Sequence, residues 1–381
     1  MELNEDEINE YIIKNLTIKT QEKDEFGEVF TPPDLIKEML DKLPKSVWKD
    51  KDYKWLDSAN GIGNFPMIVY FKLMKELDSV PLSKRSEHII KNMLYMVELN
   101  PKNAKISHEI FGEDANILCG SFLTTDNKSV NPIIKNEFGV EKFDVIMGNP
   151  PWNDMKVGVQ SGSRAKNSLW DKFIIVSFTI LQDKGYLTFI NPSQWRGLGP
   201  QYHKIWNLLS ERQIMYLHIY GEKDGNDKFN VGSRFDLYLV KNTVNKGATI
   251  VIDEYGVEYN INLKTKPFLP NYAYNEINNI LTSEDKGIDV IMSYSAYFAY
   301  KKNNKMSQTK KGNHIYPVVH SITKEGITYW YSNYNTKGHF GVPKVILNFG
   351  RHQYSHKEQN DYKGEYGMSQ ISFGIPIKSK K

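Results

Sequence analysis

One cysteine, Cys119, stands in 381 residues, so no internal disulfide can form and no cysteine cluster can hold zinc. Long apolar runs are also missing: nothing approaches the stretch of about 18 apolar residues that a membrane-spanning helix needs. The first residues, Met1-Glu2-Leu3-Asn4-Glu5-Asp6-Glu7, are acidic and contain no apolar signal core. Together these absences lead us to expect a soluble chain in the reducing cytoplasm, with no membrane partner.

What is present is ordinary in amount and uneven in place. Hydrophobic residues make up 40% and charged residues 25%, enough for a sizeable core in one large domain or two. Net charge is +4 overall. Residues 1–240 hold 30 Lys and Arg against 34 Asp and Glu, while residues 241–381 hold 19 against 11, so the basic excess lies in the final third. The same third carries 14 of the 23 tyrosines. Cations neutralise phosphates and aromatic rings stack on bases, so this distribution suits nucleic acid. A solvated lysine-rich surface over an ordinary β core is the plainer account of the same composition.

The stretch around which the chain is organised is Asn149-Pro150-Pro151-Trp152, directly after the apolar run Phe143-Asp144-Val145-Ile146-Met147-Gly148. Such a run reads as a parallel strand buried on both faces, which places the tetrapeptide at a strand's carboxyl end, where open α/β sheets bind ligands. Two prolines remove two backbone donors, Asn adds a side-chain acceptor, and Trp offers a flat face. Acceptors beside a stacking surface suit an exocyclic amine on a heteroaromatic base.

Further signals precede it. Glu28-Val29-Phe30-Thr31-Pro32-Pro33-Asp34 leads into Leu35, Ile36, Met39, Leu40 and Leu43, whose spacing predicts a helix with proline in its first turn. Asp57-Ser58-Ala59-Asn60-Gly61-Ile62-Gly63-Asn64-Phe65 predicts a strand end, a glycine turn and a helix start near Asn64. The run from Met93 closes on Glu98, an acid suited to two ribose hydroxyls, and Ile117 to Leu123 looks like the end of a third strand. Asn153 to Asn167 reads as a mobile loop over the substrate mouth. Leu169 to Leu181 mark a helix that ends at Gly185, Tyr186 to Trp195 a strand and turn, Ile214 to Tyr220 another strand, and Phe235 to Val240 the strand of an edge hairpin, with a polar loop containing Phe229 between the last two. From Ala248 onward the pattern changes to short β-like stretches.

In this order the motifs resemble those of S-adenosylmethionine-dependent N6-adenine DNA methyltransferases of restriction-modification systems, in which a target-recognition domain follows the catalytic motif. The glycine turn is similar to Asp-Pro-Ala-Cys-Gly-x-Gly-Asn-Phe of that family, with Ser58 for Pro and Asn60 for Cys. Ser121 stands where the family often has an acid. The resemblance implies a doubly wound seven-stranded sheet (α/β, Rossmann-like) with a reversed terminal hairpin and a β-rich second domain. The domains it implies are a lead-in over 1–26, a catalytic domain over 27–247 and a target-recognition domain over 248–381.

It also implies the roles. S-adenosylmethionine would be held by Thr31, Asp57, Ala59, Gly61 and Gly63 at its methionine end, by Glu98 at the ribose, and by Ser121 and Phe122 around the adenine, with Pro151 lining the same cavity. Asn149 and the Pro150 carbonyl would accept the two N–H bonds of the target amine, while Trp152 and Phe229 would flank the extruded base. The sulfonium methyl is itself electrophilic, so no metal is required. Lys301, Lys302, Lys305, Lys310, Lys311 and Arg351 are the candidates for contacts to double-stranded DNA, and any cleaving partner is expected to be a separate restriction endonuclease. RNA adenine or protein glutamine methylation shares the same amine problem, N4-cytosine methylation is a less favoured alternative, and Pro33-Asp34 with Asp52-Tyr53-Lys54 formally fits a loose nuclease metal-site pattern.

Overall fold

The computed structural model describes residues 30–153, 168–280, 288–292, 305–323, 325–348, 358–369 and 371–377. Contacts divide the chain into two compact units, the first ending at Asn279 and the second beginning at Ile280.

In the first unit, helix α1 (Pro33–Asp41) starts on a proline and buries Leu35, Ile36, Met39 and Leu40. Proline suits this position because its missing N–H would be unsatisfied there in any case. The chain then forms β1 (Trp55–Asp57), α2 (Asn64–Glu76), α3 (Leu82–His88), β2 (Leu94–Glu98), α4 (Pro101–Phe111), β3 (Asn116–Cys119), α5 (Pro132–Phe138) and β4 (Phe143–Gly148). After the next described stretch come α6 (Trp170–Ile180), β5 (Leu181–Pro192), α7 (His203–Ser210), β6 (Arg212–Tyr220), α8 (Glu222–Phe229), β7 (Phe235–Val244), β8 (Thr249–Ile252) and β9 (Glu258–Ile261). The central strands β1 and β2 are buried at every position, as strands covered by helices on both faces must be.

These strands form one sheet in the order β3-β2-β1-β4-β5-β7-β6-β8-β9. Strands β1 to β5 run parallel, and β7 lies antiparallel between β5 and β6, which is the doubly wound sheet with a reversed hairpin. The chain winds outward through β1, β2 and β3 and then returns to β4 beside β1. The topological switch point is therefore between β1 and β4, where such sheets bind ligands. Two hydrophobic cores cover the two faces, and Trp152 packs against both.

Two expectations are corrected here. Among the described residues the sheet has nine strands rather than seven, because β8 pairs parallel with β6 and β9 closes antiparallel on β8. The helix expected to end at Gly185 stops at Ile180, because β5 already begins at Leu181. The first compact unit runs on through β8 and β9 to Asn279. The physical cause is a buried latch. Arg196, 1% exposed, pairs with fully buried Asp236 at 2.7 Å and also donates to the carbonyls of Leu269 and Pro270 and to the side chain of Asn271. This draws the segment after β9 back onto the first unit, and separating it would strand a buried guanidinium.

The described residues of the second unit form two four-stranded sheets. One joins β10 (Ile291–Met292), β14 (Lys344–Asn348), β15 (Gln359–Asp361) and β17 (Ser372–Pro376), and the other joins β11 (Met306–Ser307), β12 (Tyr316–Ile322), β13 (Ile327–Ser332) and β16 (Gly367–Met368). Val319, Ile322, Ile346 and Met368 form a small core. Beside it Lys344 is fully buried, and its ammonium donates to Asp361 at 2.7 Å and to the carbonyls of His339, Val342 and Tyr366. One lysine thus collects three loop carbonyls and a carboxylate, polar bonds that the small apolar core alone does not supply.

Candidate active site

The carboxyl ends of β3, β2, β1 and β4 lie side by side, with Glu98 level with Cys119, and Asp57 level with both Met96 and Met147. This register brings Asp57, Glu98, Ser121 and Asn149 to one rim. Gly61 has φ +60° with open space around it, and Gly63 has φ +100°. A Cβ on Gly63 would lie 2.9 Å from the Phe111 ring of α4, so the close approach of turn and helix requires glycine there. Asn60 donates to Ser107 of α4 at 2.8 Å, which gives the residue standing in place of the family's cysteine a structural task.

Glu98 is buried and already engaged. One carboxylate oxygen accepts the Gly61 backbone N–H at 2.6 Å and the other accepts the Asn100 N–H at 2.7 Å. It therefore splints the glycine turn to the end of β2, and any ribose contact would use its remaining lone pairs.

Asp57 is fully buried at the switch point. One oxygen accepts the Ala59 N–H at 3.1 Å, while the other has no hydrogen-bond partner among the described residues. Burial pushes its carboxyl up to about 8; the Ala59 N–H opposes that rise and nearby Glu98 adds to it. An orphaned, buried carboxylate oxygen beside an open glycine turn fits the ammonium of an amino-acid moiety, since a cation there would both pair with it and ionise it. Gly148 has φ +142°, and a Cβ on it would lie 2.9 Å from Asp57 Oδ1. Glycine before Asn149 is thus required by the neighbouring acid.

Asn149 is held at both ends of its side chain. Its amide nitrogen donates to Thr31 Oγ1 at 3.2 Å, and its amide oxygen accepts the Trp152 indole N–H at 3.0 Å. Thr31 is buried, and Pro150 is buried beside half-exposed Asn149, Pro151 and Trp152. Among the described residues none donates to the Pro150 carbonyl. The Trp152 ring meets the edge of Phe229 at 5.7 Å and lies 6.4 Å from Phe235.

Several expected details differ. Phe229 is the last residue of α8 rather than part of a loop, and it is 4% exposed, so it backs Trp152 from within the core. The Ser121 hydroxyl closes on its own turn, donating to the Leu123 carbonyl at 2.7 Å and accepting the Leu123 N–H at 3.2 Å. Phe122 is buried and stacks on Phe173 at 5.1 Å. Asp34 pairs with Lys228 at 3.2 Å, and Asp52 lies in a turn whose N–H is accepted by Asp50, so the nuclease pattern is not assembled on paired strands. Lys305, Lys310 and Lys311 are exposed on the second unit, while Lys301, Lys302, Arg351 and residues 154–167, which the sequence reads as part of a mobile loop, lie outside the described residues.

Residues 75–225 match the Eco57I restriction-modification methylase family. A curated relative from Mycoplasma pneumoniae (strain ATCC 29342 / M129 / Subtype 1), described as an uncharacterized adenine-specific methylase, is 23% identical over a match that covers 44% of this chain. The match takes in 55% of that relative, so it spans about half of the relative's length. Among solved structures, the DrdV–DNA complex determined by cryo-electron microscopy covers 93% of this chain and 49% of that chain at a TM-score of 0.55 and 12% identity, a likeness of fold. The modification subunit of a putative type I restriction enzyme from Vibrio vulnificus YJ016 covers 72% of this chain and 58% of that one, at a TM-score of 0.45 and 14% identity. The matched residues run from the end of α2 into α8, so they contain Glu98 and Asn149 to Trp152 but not Thr31 or Asp57.

Sequence reasoning missed the polar residues that brace this site. Glu38 on α1 accepts hydrogen bonds from Tyr216 at 3.0 Å, from His218 at 2.6 Å and from Tyr220, all on one face of β6. Burial pushes the Glu38 carboxyl up, but the donors His218, Tyr220 and Tyr216 outweigh it and hold the group below its ordinary value. The alternation Tyr216-x-His218-x-Tyr220 was a visible signal of a polar strand face. Nothing in the sequence indicated that its partner stands some 180 positions earlier.

Proposed function

We propose that this chain is a site-specific DNA methyltransferase that transfers a methyl group from S-adenosylmethionine to N6 of an adenine extruded from double-stranded DNA. The observation that carries the reading is the Asn149 amide, clamped between Thr31 and Trp152 at the carboxyl end of β4 and adjacent to Asp57 at the switch point. The match of residues 75–225 to restriction-modification methylases supports it.

The residues fit the cofactor. Asp57, with its unpartnered oxygen, would hold the ammonium; Gly61 and Gly63 would admit the methionine backbone; and Glu98 would face the ribose. When bound, S-adenosylmethionine supplies a methyl group made electrophilic by a positive sulfonium. The chain's own task concerns the amine, whose lone pair is delocalised into the adenine ring. Asn149 Oδ1 keeps one lone pair beyond the bond from Trp152, and the Pro150 carbonyl is a second acceptor. Accepting both N–H bonds draws the nitrogen toward tetrahedral geometry and stabilises positive charge as it develops there. Trp152, backed by Phe229 and Phe235, offers a ring face for the extruded base, worth about 1–3 kcal/mol per stacked base. The amine becomes acidic after transfer and loses its proton without a dedicated base.

The unit from Ile280 is assigned target recognition on the basis of its basicity, with Lys305, Lys310 and Lys311 as contacts to phosphate. A separate restriction endonuclease is the corresponding partner. The test is methyl transfer from labelled S-adenosylmethionine to unmethylated genomic DNA, with nucleoside analysis of the product and total RNA in parallel. N6-methyladenine in DNA is the expected product; label confined to RNA or to protein would overturn the reading.

A further inference from the structure

Both polar atoms of the Asn149 side chain trace back to one residue that the mechanism does not use. Glu38 lies on α1, and its carboxylate holds Tyr216, His218 and Tyr220, three side chains on one face of β6. Two routes lead from it to the site. The first runs along α1 to its N-terminal lead-in, where Thr31 accepts the Asn149 amide N–H at 3.2 Å. The second runs through Tyr220, which stacks on Phe235 at 4.6 Å with planes 9° apart. Phe235 in turn lies 6.4 Å from Trp152, whose indole N–H donates to the Asn149 oxygen at 3.0 Å.

Resting on the functional reading above, we propose that Glu38 is a positioning residue for methyl transfer, setting the orientation of the Asn149 amide from both of its ends. The carboxylate is suited to this because it is an acceptor at both oxygens and can gather three donors, whereas an amide could face donors with only one atom. The three donors sit at alternate positions of one strand, so they fix the rotation of α1 over the hairpin as well as its distance. An error at either end of Asn149 would move the acceptor relative to the target nitrogen. Displacements of about 1 Å at such a position cost roughly a hundredfold in rate.

The experiment compares Glu38→Ala, the isosteric Glu38→Gln and Asp41→Ala in the full chain. Asp41 is also on α1 but pairs outward with Lys72 at 2.5 Å, so its loss tests generic loosening of the helix. Single-turnover methyl transfer to DNA is expected to fall about 10- to 100-fold in Glu38→Ala and less in Glu38→Gln, with DNA and cofactor dissociation constants within about twofold of wild type. Asp41→Ala is expected to keep the wild-type rate. The second readout is the Asn149 side-chain amide resonance in protein labelled with 15N-asparagine, assigned by its loss in Asn149→Ser; it is expected to shift in both Glu38 variants and not in Asp41→Ala. An unmoved resonance, an unchanged rate in Glu38→Ala, or an equal loss in Asp41→Ala would overturn the proposal. The resonance also separates the two claims: if wild type methylates no DNA the functional reading falls, and the positional coupling is still decided by whether that signal moves.

Discussion

The Trp152 indole N–H donates to the side-chain oxygen of Asn149 across 3.0 Å, while Thr31 accepts from the nitrogen of the same amide. The orientation of that amide is therefore fixed before any substrate arrives, with the oxygen toward the aromatic wall and the nitrogen toward α1. Preorganised acceptors act without reorganisation at the moment of reaction, which is where electrostatic stabilisation is most effective.

Asn149→Ala removes the acceptor and both of its bonds. Single-turnover methyl transfer is expected to fall about 10²- to 10³-fold, the range found when one stabilising group of this kind is deleted. Cofactor affinity is expected to stay near wild type, measured by calorimetry. Near-normal turnover with cofactor binding intact would refute the assigned mechanism.

The Asp57 carboxyl, pushed up to about 8 by burial, makes stability depend on pH in a definite direction. Between its unfolded value near 4 and about 8 the folded state holds a proton that the unfolded state has released. Stability without cofactor should therefore decline as pH rises through that window, and Asp57→Asn should remove this part of the decline. Urea titrations of both proteins at pH 6 and pH 8.5 measure the difference. Cofactor binding should release a proton in the same window, since a cation at the orphaned oxygen favours the ionised acid.

Gly148→Ala is expected to damage the site through its neighbour. The added Cβ would meet Asp57 Oδ1 at 2.9 Å with the backbone at φ +142°, so the strand end or the acid must shift. A stability loss of about 1–3 kcal/mol is expected from the strained conformation. A larger proportional loss of methyl transfer should accompany it, because Asn149 follows directly. Thermal melts and single-turnover rates on the same preparation separate the two effects.

Asp361→Ala leaves the Lys344 ammonium fully buried without its carboxylate. A loss of about 3–5 kcal/mol is expected, the cost of an uncompensated buried charge. Lys344→Met with Asp361→Leu should recover much of it. Denaturant unfolding followed by protease sensitivity of the second unit tests both.

The sequence by itself determined the rim that gathers the candidate site residues. Apolar runs that end at Asp57, Glu98 and Gly148 mark parallel strands, and residues just beyond parallel strand ends share one edge whatever lies elsewhere. The Asn149 to Trp152 turn and the glycine turn were legible for that reason, since their chemistry lies in consecutive residues. Tertiary structure decided what distance in sequence conceals. Phe229 became the end of a helix because α8 packs it against Trp152 and Phe235. Strands β8 and β9 joined the first unit's sheet because the edge of β6 was open to them and Arg196 fastened the following segment. Glu38 found its three donors only once α1 crossed β6, a contact that local patterning cannot encode, because hydrogen-bond partners so far apart in the chain are chosen by packing.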